Sequence, residues 1–223
     1  MLLYTVTHES ESAIKMNKIF VEKIEYGAEE VANFLSVAKN YYISLRTISE
    51  STDFNDRYSD DTTIDFPCNA TNMIIKDNQI YGFIAFGNER HTDEIMIIKM
   101  GEKEVTYYDG SGYSSTERIA TLCKYEFSEE VLNFAVKYKL NRKTIYKKLI
   151  NGEEFEDDVY NSTFYFSAFN VTVENGKPVA LNFDGESFNP LTKEGRNKCV
   201  VKESVYGACK YRQYITYTIL EVL

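Results

Sequence analysis

The sequence predicts an α+β fold: one mostly antiparallel sheet of about seven or more strands, with roughly three or four helices packed on it. Three observations point there. Residues 68–100, CNATNMIIKDNQIYGFIAFGNERHTDEIMIIKM, hold three apolar runs separated by the pair Asp77-Asn78 and by a polar connection. β-branched and aromatic residues dominate those runs, so they read as a three-stranded antiparallel meander. Residues 28–42 and 128–138 place apolar side chains at helical spacing, and from Thr163 onward the period shortens to two.

Taken in order, residues 18–25 (KIFVEKIE) form a first strand, which Gly27 ends. Val31, Phe34, Leu35, Ala38 and Tyr42 share one face of a helix over 28–42, with Glu29 and Glu30 in its first turn, where the helix dipole favours acids. Ile43, Leu45 and Ile48 fit a strand or a continuation of that helix. Residues 49–66 then read as a long acidic loop. After the meander, residues 104–108 (EVTYY) suit a fourth strand and residues 109–112 a glycine turn. Residues 114–124 suit a helix with Ile119, Leu122 and Cys123 on its apolar face. Ser128 caps the next helix, Leu140-Asn141 makes a turn, and 142–150 reads as a shorter helix closed by Asn151-Gly152. Residues 164–173 read as a strand, and Asn175-Gly176 signals a hairpin over 173–182. A loop over 183–196 precedes closing strands at 199–204 and 211–222. No internal repeat and no linker rich in Pro, Gly or Ser stands out.

The totals narrow the classes. At 223 residues the chain suits one large domain or two small ones, and 43% hydrophobic with 26% charged residues is globular rather than disordered. Residues 1–15 lack the basic start and long apolar middle of a signal peptide, so they read as a flexible arm or an added strand at 2–6. Residues 16–223 then form a single domain, or two closely joined halves divided near Gly152. No apolar stretch reaches the roughly 18 residues of a membrane span. Cys68, Cys123, Cys199 and Cys209 have neither C-x-x-C nor zinc spacing, so reduced thiols are expected, in the cytoplasm or, for a viral protein, the host cytoplasm. The 18 Tyr and 14 Phe, with no Trp and 3 Pro, accompany much Asn, Lys and Ile, a composition associated with AT-rich genomes such as those of phages or low-GC bacteria. The formal net charge of −9 repels nucleic acid and anionic membrane and suits a macromolecular partner with a basic surface.

One stretch resembles a known enzyme family. A strand, a helix and then Ile80, Gly82 and Phe83 within the meander resemble the first half of the GNAT acyltransferases, over residues 18–124. That family holds acyl-CoA pyrophosphate on a glycine loop that opens a helix, where free backbone N–H groups meet the anion. The resemblance assigns this role to Gly110, Ser111 and Gly112, although Tyr107 stands at the basic or amide position and Asp109 puts a negative charge beside the phosphates. It implies acyl-CoA as cofactor, with Glu94 or Asp93 as general base and Tyr125 as the acid that protonates the thiolate.

A second stretch, residues 131–152, resembles a helix-turn-helix. Ala135 takes the small position, Leu140 the turn, and Arg142, Lys143 and Thr144 open the recognition helix; Lys139 stands where a turn glycine is usual. Arg142, Lys143 and Lys147, with Lys137, Lys139 and Lys148, would contact phosphates. This is the one route by which the chain would bind nucleic acid.

Nothing else assembles a catalytic set. His8 and His91 are isolated, and the acids at 53–65 lack the central Gly and terminal Glu of a calcium loop, so no metal site is expected. The expectation that remains is a non-enzymatic, acidic interaction protein, a phage or mobile-element accessory factor in kind. Its partner contacts would fall on Asp53, Asp56, Asp60 and Asp61 and on Glu153, Glu154, Asp157 and Asp158. A degenerate GNAT-like acyltransferase and a DNA-binding regulator are the alternatives.

Overall fold

Two helices in this chain open with nearly the same words: residues 29–34 read EEVANF and residues 129–134 read EEVLNF. The computed structural model describes residues 1–11, 17–53, 56–88, 91–150, 153–206 and 210–223. It divides the chain into two compact units, Met1–Glu126 and Phe127–Leu223, with one of these helices in each.

In the first unit, β1 (Leu2–Glu11) and β2 (Asn17–Glu25) form an antiparallel pair. Helix α1 (Ala28–Ala38) follows, opened by the Gly27 N–H donating to Glu30 Oε2 at 2.9 Å. It buries Val31, Phe34, Leu35 and Ala38, the face its apolar spacing foretells. Strands β3 (Tyr41–Asp53) and β4 (Asp56–Pro67) then make a long hairpin. A corner at 68–72 leads into β5 (Met73–Lys76), β6 (Gln79–Asn88) and β7 (His91–Lys99), the expected meander, turned at Asp77 and Asn78, which both take positive φ. Finally β8 (Glu104–Ser111) and β9 (Ser114–Lys124) form a hairpin whose second strand pairs with β3. Two sheets result, in the orders β4-β3-β9-β8 and β2-β1-β5-β6-β7. Their core holds Leu3, Ile43, Met73, Ile74, Ile75, Phe83, Ile98 and Ala120, all fully buried. Strand β5 buries Met73, Ile74 and Ile75 on both of its faces, and β1 and β6 take up its two backbone edges.

The second unit repeats this order. Helix α2 (Glu129–Val136) is capped by Ser128, whose Oγ accepts the Val131 N–H. A long hairpin of β10 (Tyr138–Ile150) and β11 (Glu153–Tyr165) follows. After a single 3-10 turn at Ala168–Asn170 come β12 (Val171–Glu174), β13 (Lys177–Phe183) and β14 (Glu186–Phe188), turned at Asn175 and Gly176 with positive φ. A one-turn helix α3 (Lys193–Arg196) precedes the closing hairpin of β15 (Asn197–Tyr206) and β16 (Lys210–Val222). The sheet orders are β11-β10-β16-β15 and β12-β13-β14. Its core gathers Ala135, Tyr138, Leu140, Phe166, Leu181, Phe188 and Leu220.

The correspondence reaches single hydrogen bonds. In the first corner Asn72 Oδ1 accepts the Asn69 N–H at 2.9 Å, and in the second Asn170 Oδ1 accepts the Ser167 N–H at 2.9 Å. The last strand of each unit closes on the end of its helix: Tyr125 N–H to Asn40 O at 3.0 Å, and Leu223 N–H to Lys137 O at 2.9 Å. The chain is a tandem repeat of one topology, which the expected absence of a repeat missed. Unit one adds β1 and β2 to the shared plan.

The fold is mostly β, with several sheets and short helices, rather than an α+β layer of helices on one sheet. Three segments account for the difference. Residues 49–53 and 56–66 are not a loop but parts of β3 and β4. Residues 114–124 are β9 rather than a helix, and residues 142–150 belong to β10. In the last two cases a full ladder to a distant strand outweighs local helical spacing. β9 pairs with β3 from Tyr41↔Lys124 to Ser51↔Ser114, and β10 pairs with both β11 and β16 along its length. Thr116, Ile119 and Thr121 in β9, and Thr144, Ile145 and Tyr146 in β10, are residues that a pleated surface accepts readily.

Candidate partner-binding surface

The acids at 53–65 lie on a strand edge. β3 is hydrogen-bonded on both sides, to β4 and β9, whereas among the described residues β4 has only β3 beside it. The base of the hairpin is anchored by Ile43, which is fully buried. Further out, residues 57–65 of β4 are exposed whichever face they point to. Tyr58 is 49% and Ile64 63% accessible, so the strand carries apolar groups that its own core does not use.

The pleat sorts the side chains. Asp61 and Asp65 share one face of the sheet with Thr63, while Asp60 shares the other with Tyr58, Thr62 and Ile64. Asp61 is held by Arg46 in a two-pronged ion pair, Nε to Oδ1 at 2.9 Å and a terminal nitrogen to Oδ2 at 2.6 Å. That hydrogen-bonded guanidinium keeps the Asp61 carboxyl below the usual carboxylate range. Asp60 sits opposite Ser49 in the ladder, and Asp53 stands opposite Asp56 at its end. The neighbouring hairpin joins the same surface: Thr52 donates its N–H and Oγ1–H to the Tyr113 carbonyl, at 2.8 and 3.2 Å. Tyr113 is exposed at this contact, and Tyr108 is exposed on β8, the opposite edge of the same sheet. Tyr108 is hydrogen-bonded to Glu117, which pushes its hydroxyl up from the ordinary tyrosine range.

Such an edge offers a row of outward N–H and C=O groups to an added strand. Its acids reject a second acidic strand and accept a basic one.

The other sequence-derived candidates fall elsewhere. Gly110 and Ser111 end β8, and Gly112 makes the tight turn to β9 with φ +67. No helix opens at these glycines, so the backbone N–H groups of a helix start, on which the acyl-CoA expectation rested, are not formed there. Tyr125 follows β9, its ring 4.9 Å from that of Tyr42. Of the helix-turn-helix expectation only α2 is helical; the segment meant for recognition is β10. Arg142 turns inward: its guanidinium lies 4.8 Å from the Phe183 ring centre and 5.6 Å from that of Phe164, and it donates to Asp184 Oδ2 at 3.0 Å. Lys143 is exposed on the opposite face of the strand and Lys147 is half-buried. Asp158 is exposed on the edge strand β11, opposite Tyr146. The side chains of Asp56, Glu94, Ser111, Glu153, Glu154 and Asp157 lie outside the described residues; their backbones belong to β4, β7, β8 and β11. Among the described residues no cluster of three or more His, Cys, Asp or Glu could hold a metal ion, and no helix is long and apolar enough to cross a membrane.

Sequence reasoning passed over Arg46, Tyr58, Ile64, Tyr108 and Tyr113. The available signal was the β-rich wording of ISLRTIS (43–49) and TTIDF (62–66), which argues for strands on both sides of the acids.

No family model matches this sequence, and no curated protein matches it. Among solved structures, the SMP and C2 domains of Extended-Synaptotagmin 2 align at 7% identity, covering 92% of this chain but 62% of that one, with a TM-score of 0.23. The chain thus spans less than two thirds of that neighbour, and similarity at this level carries no argument about fold or function.

Proposed function

We propose that this chain is a non-enzymatic binding protein whose acidic edge strand β4 takes an extended, basic segment of a macromolecular partner, in the cytoplasm. The observation that carries the reading is the placement of Asp60, Asp61 and Asp65 on an edge strand exposed on both faces over residues 57–65. An edge that serves no core of its own is free to gain a strand, and its charge selects the sign of the strand it gains. The free thiols support the compartment: Cys68 is a buried thiol, pushed up by that burial, with Cys123 and Cys199 also unbridged.

The test uses a labelled peptide of alternating Lys and Thr as the probe, followed by fluorescence anisotropy. The intact chain binds it, and binding weakens as salt rises. The double variant Asp60→Lys with Asp65→Lys loses at least tenfold in affinity, and an alternating Glu and Thr peptide does not bind the intact chain. Equal affinity for the intact chain and the double variant overturns the reading.

A further inference from the structure

The two units are built on one topology, so each is a control for the other. Counting from the equivalent closing bonds of Asn40 with Tyr125 and Lys137 with Leu223, the same cross-strand row can be read in both four-stranded sheets. In the first unit the row is Asp61, Ile48, Glu117 and Tyr108. In the second it is Val159, Ile145, Ile215 and Val201. The row points away from the core in both cases. In the second unit the alternate residues Leu140 and Leu220 face inward to the buried cluster, while Val159 at 45% and Val201 at 52% remain accessible. The next rows add Tyr217 and Ile219, also exposed, beside an open depression of about 590 Å³.

The topology does not need this apolar band, because the first unit stands with two carboxylates, a tyrosine and one isoleucine in the same places. Four strands bearing a continuous apolar row toward water cost solvation unless something covers them. We propose that a second copy of this chain covers it, with the outer faces of two β11-β10-β16-β15 sheets packed on each other.

Charge and shape select that occupant. On the described part of the face Lys139 is paired with Glu221 at 3.4 Å, the other charges are Lys143 and Lys147, and Glu221 is the one acid among the described residues there. The chain carries net −9 overall, so two copies repel across most of their surfaces, but a face whose one described acid is already paired lets them meet. The row crosses all four strands, so a twofold axis through its middle lays row on row, as an isologous interface requires. Strand spacing of about 4.8 Å and a rise of about 3.3 Å per residue give roughly 450 Å² of flat area per copy over residues 139–145 and their partners. A pair therefore buries about 900 Å² before side-chain relief is added, near the ~1,000 Å² floor for a specific interface. The dimer is accordingly reversible and concentration-dependent. This inference stands apart from the reading of β4.

Sedimentation velocity of the full chain from about 1 to about 200 micromolar decides it. The mass rises from 25.8 kDa toward twice that value, and raising salt does not reverse the rise, because the contact is apolar. A variant that grafts the first unit's row, Val159→Asp with Ile215→Glu and Val201→Tyr, stays monomeric at the highest concentration while keeping the intact chain's circular dichroism. If that graft does not fold, Val201→Lys at the sheet edge gives the same reading, as at least a tenfold weaker dimer. A chain monomeric throughout overturns the proposal. It fails equally if the folded graft or Val201→Lys associates as the intact chain does, or if the mass climbs past the dimer without a plateau.

Discussion

The guanidinium of Arg118, on β9, sits 3.9 Å from the centre of the Phe86 ring on β6, so an arginine of one sheet covers an aromatic ring of the other. The second unit solves the same problem with different strands: Arg142 on β10 covers Phe183 on β13 at 4.8 Å. In both units the arginine stem fills space between sheets while its charge rests on a ring face. Truncating Arg118→Ala removes both contributions and lowers the stability of its unit by about 1–2 kcal/mol. Urea unfolding followed by circular dichroism measures this, and an unchanged midpoint would show that the contact is not stabilising.

Arg142 carries a second, separable feature. Its Nε is buried and has no acceptor. A buried donor without an acceptor offsets part of what the ring contacts contribute. Arg142→Met keeps the apolar stem against Phe164 and Phe183 and removes that donor, so it costs less than ~1 kcal/mol, whereas Arg142→Ala costs roughly 2 kcal/mol or more. Equal losses for the two variants in thermal melts contradict this account.

The corner asparagines do equivalent work in each unit. Asn72 also donates to the Pro67 carbonyl at 3.1 Å, and Asn170 to the Asn182 carbonyl at 3.3 Å. Each side chain therefore satisfies two backbone groups where the chain passes from one sheet to the other. Asn72→Ala and Asn170→Ala each destabilise by about 1–3 kcal/mol. Hydrogen exchange of the Asn69 and Ser167 amides reports the loss directly: each amide becomes faster-exchanging in its own variant and stays protected in the other.

The Arg46–Asp61 pair gives a pH dependence of known sign. Arg46 depresses the Asp61 carboxyl in the folded chain. A depressed carboxylate adds stability that is present above the ordinary Asp range near pH 4 and is lost as pH falls through the lower folded value. The pair is solvent-exposed, so the contribution is small and screened by salt. Carbon-detected NMR titration of Asp61 checks it: Arg46→Met moves its midpoint up toward the ordinary carboxylate value. A midpoint that stays put assigns the depression to something other than Arg46.

Several elements were legible because their signals are local, although the fold class was not. The meander rests on Asp77-Asn78 and the β12–β13 hairpin on Asn175-Gly176, and in these turn pairs the positive φ values are paid for by the residue types themselves. Helix α2 was marked by Ser128 and the acids behind it. The misread segments lack such marks. In β9, Ile119, Leu122 and Cys123 satisfy a helical face as well as a strand, and in β10 Ile145 and Leu149 stand four apart, which both periods allow. The outer half of β4 shows no alternation because neither of its faces is buried. For the candidate surface, the acids of 53–65 were visible as a charge pattern, but Tyr58 and Ile64 acquire meaning only from an edge position that is set by pairing β3 with β9.

The sequence by itself determined the turns, the helix starts and the acidic balance of this protein, since each depends on residues a few positions apart. Only the tertiary structure decided that β9 and β10 are strands, that the chain is a tandem repeat, and that Arg142 faces a core instead of a phosphate. Those outcomes depend on ladders closed between residues up to about eighty positions apart, such as Lys139 with Glu221. A long-range ladder of that kind supplies backbone hydrogen bonds and burial that no short window of sequence contains. It also leaves two stretches spelled alike, EEV at 29–31 and at 129–131, as a short trace of a repeat that the backbone states in full.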